Sequence, residues 1–331
     1  MSPNFKSTKF WLCATVILIT TGLGRSDIGG PFQYAHNLER EFKILGHKVR
    51  VAKYGSVESS IVGVWPKVIW ADRILALDTF SVGLPSVLAA KIFGKKVTIR
   101  VGGDFLWSAY VNRTGEAITL PAFYRNMPKL NMKEKFIFFF TKFTTKRADF
   151  LAFNTEWQRS IWQSFYKIKE GRSGVVRNFI PEKRGDPQVR LAGNKNFIWA
   201  GRLIPEKNPR MLKKFDIDIV TGESHEKVLE KLKNSYAAVS LAFTDICPNF
   251  IIEAASFNKP FIMTRETGLN EILPKGGIFV DSLDESVVRG AIEALLDDNT
   301  YNKHVEDLKS NTAMHSWSDL AKEFLDIWKK T

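Results

Sequence analysis

Asp245-Ile246-Cys247-Pro248-Asn249-Phe250-Ile251-Ile252-Glu253-Ala254 sets two acids seven residues apart, and the reading of the chain turns on this stretch. Before it, residues 237–242 form a short continuous apolar run, the pattern of a strand buried on both faces. After it, the spacing predicts a helix over 249–257. Asp245 therefore ends a strand, and Glu253 sits one turn inside the next helix. Residues 249–252 form that helix's first turn, whose N–H groups have no partner within the helix. Acids placed in this way either accept hydrogen bonds from sugar and ribose hydroxyls or act as helix caps and dipole-favoured charges.

The same strand–helix unit recurs outward in both directions. Downstream lie strands at 261–264 and 278–280 and a helix at 285–296. Upstream lie strands at 197–200 and 217–220 and a helix at 225–232. Residues 181–196, rich in Pro, Gly, Asn and charge, read as a linker. Before it come strands at 16–19, 48–54, 73–77, 96–101, 150–154 and 174–177, with helices at 32–45 and 84–93 closed by Gly46 and Gly94. This alternation predicts an α/β chain of two doubly wound parallel sheets, each binding ligands beyond the carboxyl ends of its strands. Placed face to face, the two enclose a cleft. The expected domains are 1–183, 184–312 and a closing helix within 313–331. That helix starts near Ser316 or Ser318, and its stripe of Trp317, Leu320, Ala321, Phe324, Leu325 and Trp328 suits packing back across the first domain.

Two cysteines, Cys13 and Cys247, and five scattered histidines make neither a disulfide framework nor a zinc pattern, which suits a reducing, cytoplasmic setting. The charge is lopsided. Residues 1–180 hold 27 of the 48 Lys/Arg and 12 of the 35 Asp/Glu, a net of +15 against −2 for the remainder. An electropositive half wants an anionic partner, unless it is merely a soluble basic surface. The apolar run at 10–20 mimics a signal peptide but is short for a span of about 20 residues, and it reads better as a buried strand.

Two further motifs bear on chemistry. Ser26-Asp27-Ile28-Gly29-Gly30-Pro31 follows the first strand and precedes a helix. It is either a loop letting backbone approach a phosphate or a plain Gly-Gly-Pro turn, and it lacks the dinucleotide-binding spacing. Gly201-Arg202-Leu203-Ile204-Pro205-Glu206-Lys207 follows the first strand of the second half. Its two cations either stabilise a leaving diphosphate or form a surface basic pair.

Together the three motifs resemble glycosyltransferase family 4 in its two-domain arrangement, called GT-B, over most of the chain. Asp27 to Pro31 with Leu45-Gly46-His47-Lys48-Val49 resembles the family's opening. Asn178-Phe179-Ile180-Pro181 resembles its passage into the second domain. Asp245 to Glu253 resembles its glutamate-x7-glutamate motif, followed by Lys259-Pro260 and Thr267-Gly268-Leu269, and His315-Ser316-Trp317 resembles the start of its closing helix. The resemblance implies a retaining glycosyltransferase using a UDP- or GDP-type nucleotide-sugar, with no cofactor and no metal. Arg202 and Lys207 would hold the diphosphate, Glu253 the ribose and Asp245 the donor sugar. The amides of Asn249, Phe250 and Ile251 would hold sugar or phosphate, and Gly29 and Gly30 would let the first domain close. Three departures stand out. Asp245 replaces a glutamate, and the second domain is short, with room for one helix between 220 and 237. Gly102-Gly103-Asp104 stands where relatives carry His then Asp, so Asp104 either contacts donor or acceptor or caps the next helix.

The expected acceptor is a glycan or a lipid-linked molecule. In residues 129–147, Phe136, Phe140 and Phe143 share one helical face and Lys135, Lys142 and Lys146 the opposite one, with Phe138 and Phe139 at its flanks. The helix is either a lysine-edged surface for anionic lipid, giving a peripheral membrane protein, or a core helix with a solvated face. Two other readings stand beside the enzyme: an inactive relative that only binds, and a basic nucleic-acid-binding protein. The latter is not expected, because no nucleic-acid motif is present.

Overall fold

The structure, a computed structural model, describes residues 14–22, 30–54, 57–185 and 195–331. The first half alternates β1 (Val16–Gly22), α1 (Gly30–Ile44), β2 (Lys48–Tyr54), α2 (Val57–Trp70), β3 (Arg73–Ala76), α3 (Gly83–Ile92) and β4 (Lys96–Val101). Three helices then intervene, α4 (Phe105–Thr114), α5 (Leu120–Arg125) and α6 (Met132–Arg147), before β5 (Phe150–Phe153), α7 (Glu156–Tyr166) and β6 (Ser173–Val175). The six strands are all parallel, in the order β2-β1-β3-β4-β5-β6.

The second half runs β7 (Phe197–Ala200), a 3-10 turn (Pro205–Lys207), α8 (Pro209–Leu212), β8 (Ile217–Val220), α9 (His225–Asn234), β9 (Ala237–Ser240) and α10 (Asn249–Ser256). It continues with β10 (Phe261–Thr264), a 3-10 turn (Leu269–Glu271), β11 (Gly277–Val280), α11 (Glu285–Leu296), α12 (Asp298–Ser310) and α13 (Trp317–Lys330). Its five parallel strands lie in the order β11-β10-β9-β7-β8. Strand order reverses between β1 and β3 in one sheet and between β7 and β9 in the other, the positions where open α/β sheets bind ligands.

The apolar run that mimics a signal peptide is strand β1 in its described part, with Ile17, Leu18 and Ile19 fully buried. Residues 10–13 lie outside the described residues. The stripe on α13 buries Leu320, Ala321, Phe324 and Trp328 against Ile17, Ile19, Tyr34 and Phe42 of the first half. Burial of one such aromatic contributes roughly 1.5–3 kcal/mol. Trp328 Nε1 also donates to Thr98 Oγ1 at 2.9 Å, and the Trp328 carbonyl accepts from Arg73 at 2.6 Å.

Helix α6 corrects its sequence reading. Its buried face is Glu134, Ile137, Thr141, Thr144 and Thr145, while Phe136 and Phe139 are 56% and 63% exposed. Lys135, Lys142 and Lys146 are exposed too, so Phe136 shares the solvent side with them instead of opposing them, and Phe139 lies beside them. Two of these polar groups have partners: Thr144 donates to the Thr79 carbonyl at 2.9 Å, and Glu134 accepts from Arg113 at 2.6 and 3.0 Å, whereas the Thr141 and Thr145 hydroxyls have none among the described residues. No helix among the described residues is long and apolar enough to cross a membrane.

Candidate functional site

The loops at the carboxyl ends of β7 and β9 and the first turn of α10 meet the edge of the first sheet around a cleft of ≈ 560 Å³. Lys207 is placed by a tight turn in which Lys207 N and Asn208 N donate to the carbonyls of Ile204 and Pro205. The turn is stopped by Asn208 in the left-handed region at φ 54°, and Asn208 also donates to the Ser282 carbonyl at 3.0 Å. From there Lys207 Nζ reaches Asp245 Oδ2 at 2.8 Å. Burial alone would lower the pKa of this ammonium, but the adjacent Asp245 charge and hydrogen bond outweigh it and hold the lysine above its ordinary range. Arg202 is exposed and does not line the cleft, although its charge is felt at Lys207.

Pro248 caps α10 without a side-chain acceptor, which leaves the positive end of the helix open. Asn249 and Phe250 occupy its first two positions and line the cleft, with amides that have no earlier turn to bond into. Ile251 does not share this role. Its side chain is fully buried in the core and its amide donates to the Pro248 carbonyl at 3.2 Å, so the expected ligand contact is corrected. Glu253, on the cleft side of the same helix, pairs with His225 Nε2 at 2.7 Å. Donation to the Glu253 carboxylate raises the His225 pKa above its ordinary value, against the pull of burial.

Asp104 is the second correction. It is 4% exposed and lies away from the cleft lining, and its carboxylate is fully used. Oδ1 caps α4 through Trp107 N at 2.9 Å, and Oδ2 accepts from Tyr124 OH at 2.6 Å and Trp162 Nε1 at 3.0 Å. Of the alternatives open in the sequence, the structure shows the helix cap. Burial raises its pKa despite these three donors. Gly29 lies outside the described residues, and Gly30 is the first residue of α1.

Several cleft residues escaped the sequence reading. Arg100, near the carboxyl end of β4, stacks 4.0 Å over Tyr34 and donates to Asn178 Oδ1 at 2.7 Å. A Cβ at Gly102 would come within 2.3 Å of the Arg100 guanidinium, so glycine is needed for that arginine to fold back. Its signal was its place near the end of a strand. His225, Arg184 and Asn178 also line the cleft, and His225 is signalled only as the first residue of a helix after β8. Cys247 lines it as a half-buried thiol whose pKa is pushed up to about 12 by desolvation and then by the Asp245 charge, which favours the protonated form. Among the described residues, no group of three or more His, Cys, Asp or Glu comes together as a metal site.

No protein-family model and no curated protein sequence matches the chain. Solved structures match it in fold. Sucrose-phosphate synthase from Thermosynechococcus elongatus aligns with a TM-score of 0.70 at 12% identity, over 96% of this chain and 98% of that one. Anabaena HepE, solved in complex with UDP-glucose, gives 0.69 at 11% identity, over 96% and 100%. WaaG, a glycosyltransferase involved in lipopolysaccharide biosynthesis, gives 0.62 at 13% identity, over 94% and 99%. This likeness, with its two parallel sheets of six and five strands, gives the chain the two-domain α/β GT-B fold.

Proposed function

We propose that the chain is a retaining glycosyltransferase of family 4 type, moving a sugar from a UDP- or GDP-linked donor to a glycan or lipid-linked acceptor. The observation that carries this is the convergence of Lys207, Asp245, Glu253 and the open first turn of α10 on one cleft between two sheets. Its volume of ≈ 560 Å³ falls in the range of about 300–1,000 Å³ typical of small-molecule sites. UDP-glucose in HepE supports a nucleotide-sugar as the donor class.

In this reading the diphosphate lies against Lys207 and the amides of Asn249 and Phe250, with Arg202 adding longer-range charge. Glu253 takes the ribose and Asp245 the donor sugar. The acceptor oxygen bonds to the anomeric carbon as the carbon–oxygen bond to the diphosphate breaks on the same face. A departing phosphate oxygen takes the acceptor proton, so no enzyme nucleophile is required. Positive charge from Lys207 and the helix amides stabilises the leaving group, a role that here requires neither cofactor nor metal. With a lipid-linked acceptor the chain works at the cytoplasmic surface of a membrane, to which Lys135, Lys142 and Lys146 present positive charge.

A thermal-shift and calorimetric screen against UDP, GDP and their sugar conjugates tests the donor assignment, and donor turnover tests catalysis. Binding without hydrolysis or transfer points instead to the inactive, purely binding relative. Absence of binding to every nucleotide-sugar sinks the reading.

A further inference from the structure

Outward from its buried threonines, α6 presents Met132, Phe136 and Phe139, which are 66%, 56% and 63% exposed. The aromatic surface continues beyond them. Phe140 lies 6.3 Å from Phe136 and 5.3 Å from Phe139, Phe80 lies 6.5 Å from Phe140, and Phe105 lies 6.3 Å from Phe80. Phe80 follows β3 and Phe105 opens α4 just after β4, so the row runs from the outer face of α6 toward the carboxyl edge of the first sheet. Scattered exposed apolar residues are ordinary, but a contiguous aromatic strip marks an interaction surface.

The charge exposed on α6 has one sign. Lys133, Lys135, Lys142, Lys146 and Arg147 are all exposed on α6, while its one acid, Glu134, is buried against Arg113. On a helix, Lys135, Lys142 and Lys146 flank one side of the Met132–Phe136–Phe139 face, and Lys133 and Arg147 flank the other. An apolar centre edged by cations on both sides is the pattern of a helix lying in a lipid interface. Pairing this face with that of a second copy would bring five cations on each side together with no acid of α6 exposed between them. The +15 of residues 1–180 points the same way.

We infer that this strip enters an anionic bilayer: Met132, Phe136 and Phe139 insert at the acyl boundary while Lys133, Lys135, Lys142, Lys146 and Arg147 meet lipid phosphates. The inference deepens the membrane reading of this helix by naming the face that inserts, and it is independent of the donor site. Because the strip leads to the edge of the sheet that faces the cleft, a lipid-linked acceptor could present its polar end there while its tail stays in the bilayer.

Co-sedimentation with phosphatidylglycerol and phosphatidylcholine vesicles, at low and high salt, tests this. Wild type binds phosphatidylglycerol, and salt removes only part of the binding. Lys135→Gln/Lys142→Gln/Lys146→Gln loses the salt-sensitive part, since each cation near an anionic surface counts. Phe136→Ser/Phe139→Ser loses the salt-resistant remainder, with at least about a tenfold drop in partition coefficient. Both variants keep the wild-type unfolding temperature and the wild-type response to UDP or GDP. Failure of wild type to bind either nucleotide tells against the donor site and leaves the lipid result standing. Wild-type partition at high salt by the phenylalanine variant overturns the inference, as does absence of binding by wild type. So does a wild-type dimer on size exclusion that the phenylalanine variant converts to monomer, which makes the face an interface between copies.

Discussion

Lys207 Nζ stands 2.8 Å from Asp245 Oδ2, so the loop after β7 and the loop after β9 are tied together at the point where the strand order of the second sheet reverses. The pair sits at the base of the cleft with side chains 26% and 16% exposed. Asp245 keeps the ammonium charged, and in the proposed reading the donor diphosphate would compete with that carboxylate for it.

Lys207→Ala removes the cation and leaves Asp245 without its partner. A hydrogen bond to a charged group is worth about 1.5–3 kcal/mol, so nucleoside-diphosphate binding should weaken roughly ten- to a hundredfold by calorimetry. Arg202→Ala should cost less and in a salt-dependent way, because Arg202 is exposed. Unchanged affinity in the Lys207 variant sinks the diphosphate assignment.

His225 and Glu253 predict a pH dependence of nucleotide binding. Donation to the Glu253 carboxylate raises the His225 pKa, with Arg184 pulling down and Glu226 pushing up as nearby charges. The ion pair is therefore fully present below the ordinary histidine value of about 6.5 and is lost as pH rises through the raised one. If Glu253 takes the ribose as proposed, the ribose hydroxyls must displace His225, so affinity should rise with pH through that window. In His225→Gln the profile should flatten, and Glu253→Gln should weaken binding at every pH. A wild-type profile that is flat or falls with pH excludes this competition.

The sequence reading reached the architecture because both sheets are parallel and buried, which turns strands such as Phe197–Ala200 and Phe261–Thr264 into short apolar runs between helices. The smaller second half was legible too, from the room for one helix between 220 and 237. What stayed hidden depended on side-chain direction. Asp104 and Asp245 both stand just after strands, yet one turns into the core toward Tyr124 and Trp162 and the other into the cleft toward Lys207. Helical periodicity placed the α6 lysines and phenylalanines relative to one another but could not say that threonines would take the inner face. Arg100 was missed because its role is set by Tyr34 and Asn178, distant in sequence.

Asp104 should behave as a structural residue. Asp104→Ala removes a helix cap, worth about 1 kcal/mol, and strands the buried Tyr124 hydroxyl and Trp162 N–H. The combined loss should be on the order of 3 kcal/mol by urea denaturation. Nucleotide affinity of the protein that remains folded should stay at the wild-type value. Full stability together with lost turnover would restore a catalytic role.

Glu271 and Gly268 should control how tightly the two halves close. Glu271 belongs to the second half, yet its carboxylate accepts the amides of Glu156 and Trp157 at 2.9 and 2.5 Å, at the N-terminal end of α7 in the first half, beside the Thr155 cap. An acid at a helix N-terminus is favourable, and a cap of this kind is worth about 1 kcal/mol. Gly268 lies beside it. A Cβ there would stand 2.3 Å from Thr155 Oγ1 and 2.4 Å from Thr155 Cβ, and Thr155 is 1% exposed, with no room to retreat. Glu271→Ala therefore removes an attraction between the halves, and Gly268→Ala inserts a wedge at the same place. Both should shift the population toward open forms, roughly fivefold for the lost cap. Small-angle scattering should show a larger radius of gyration in each variant, narrowed by added nucleotide. Donor turnover should fall further than nucleotide affinity, because the proposed phosphate and ribose contacts lie within the second half alone. Wild-type dimensions in both variants would mean that this contact follows closure instead of setting it.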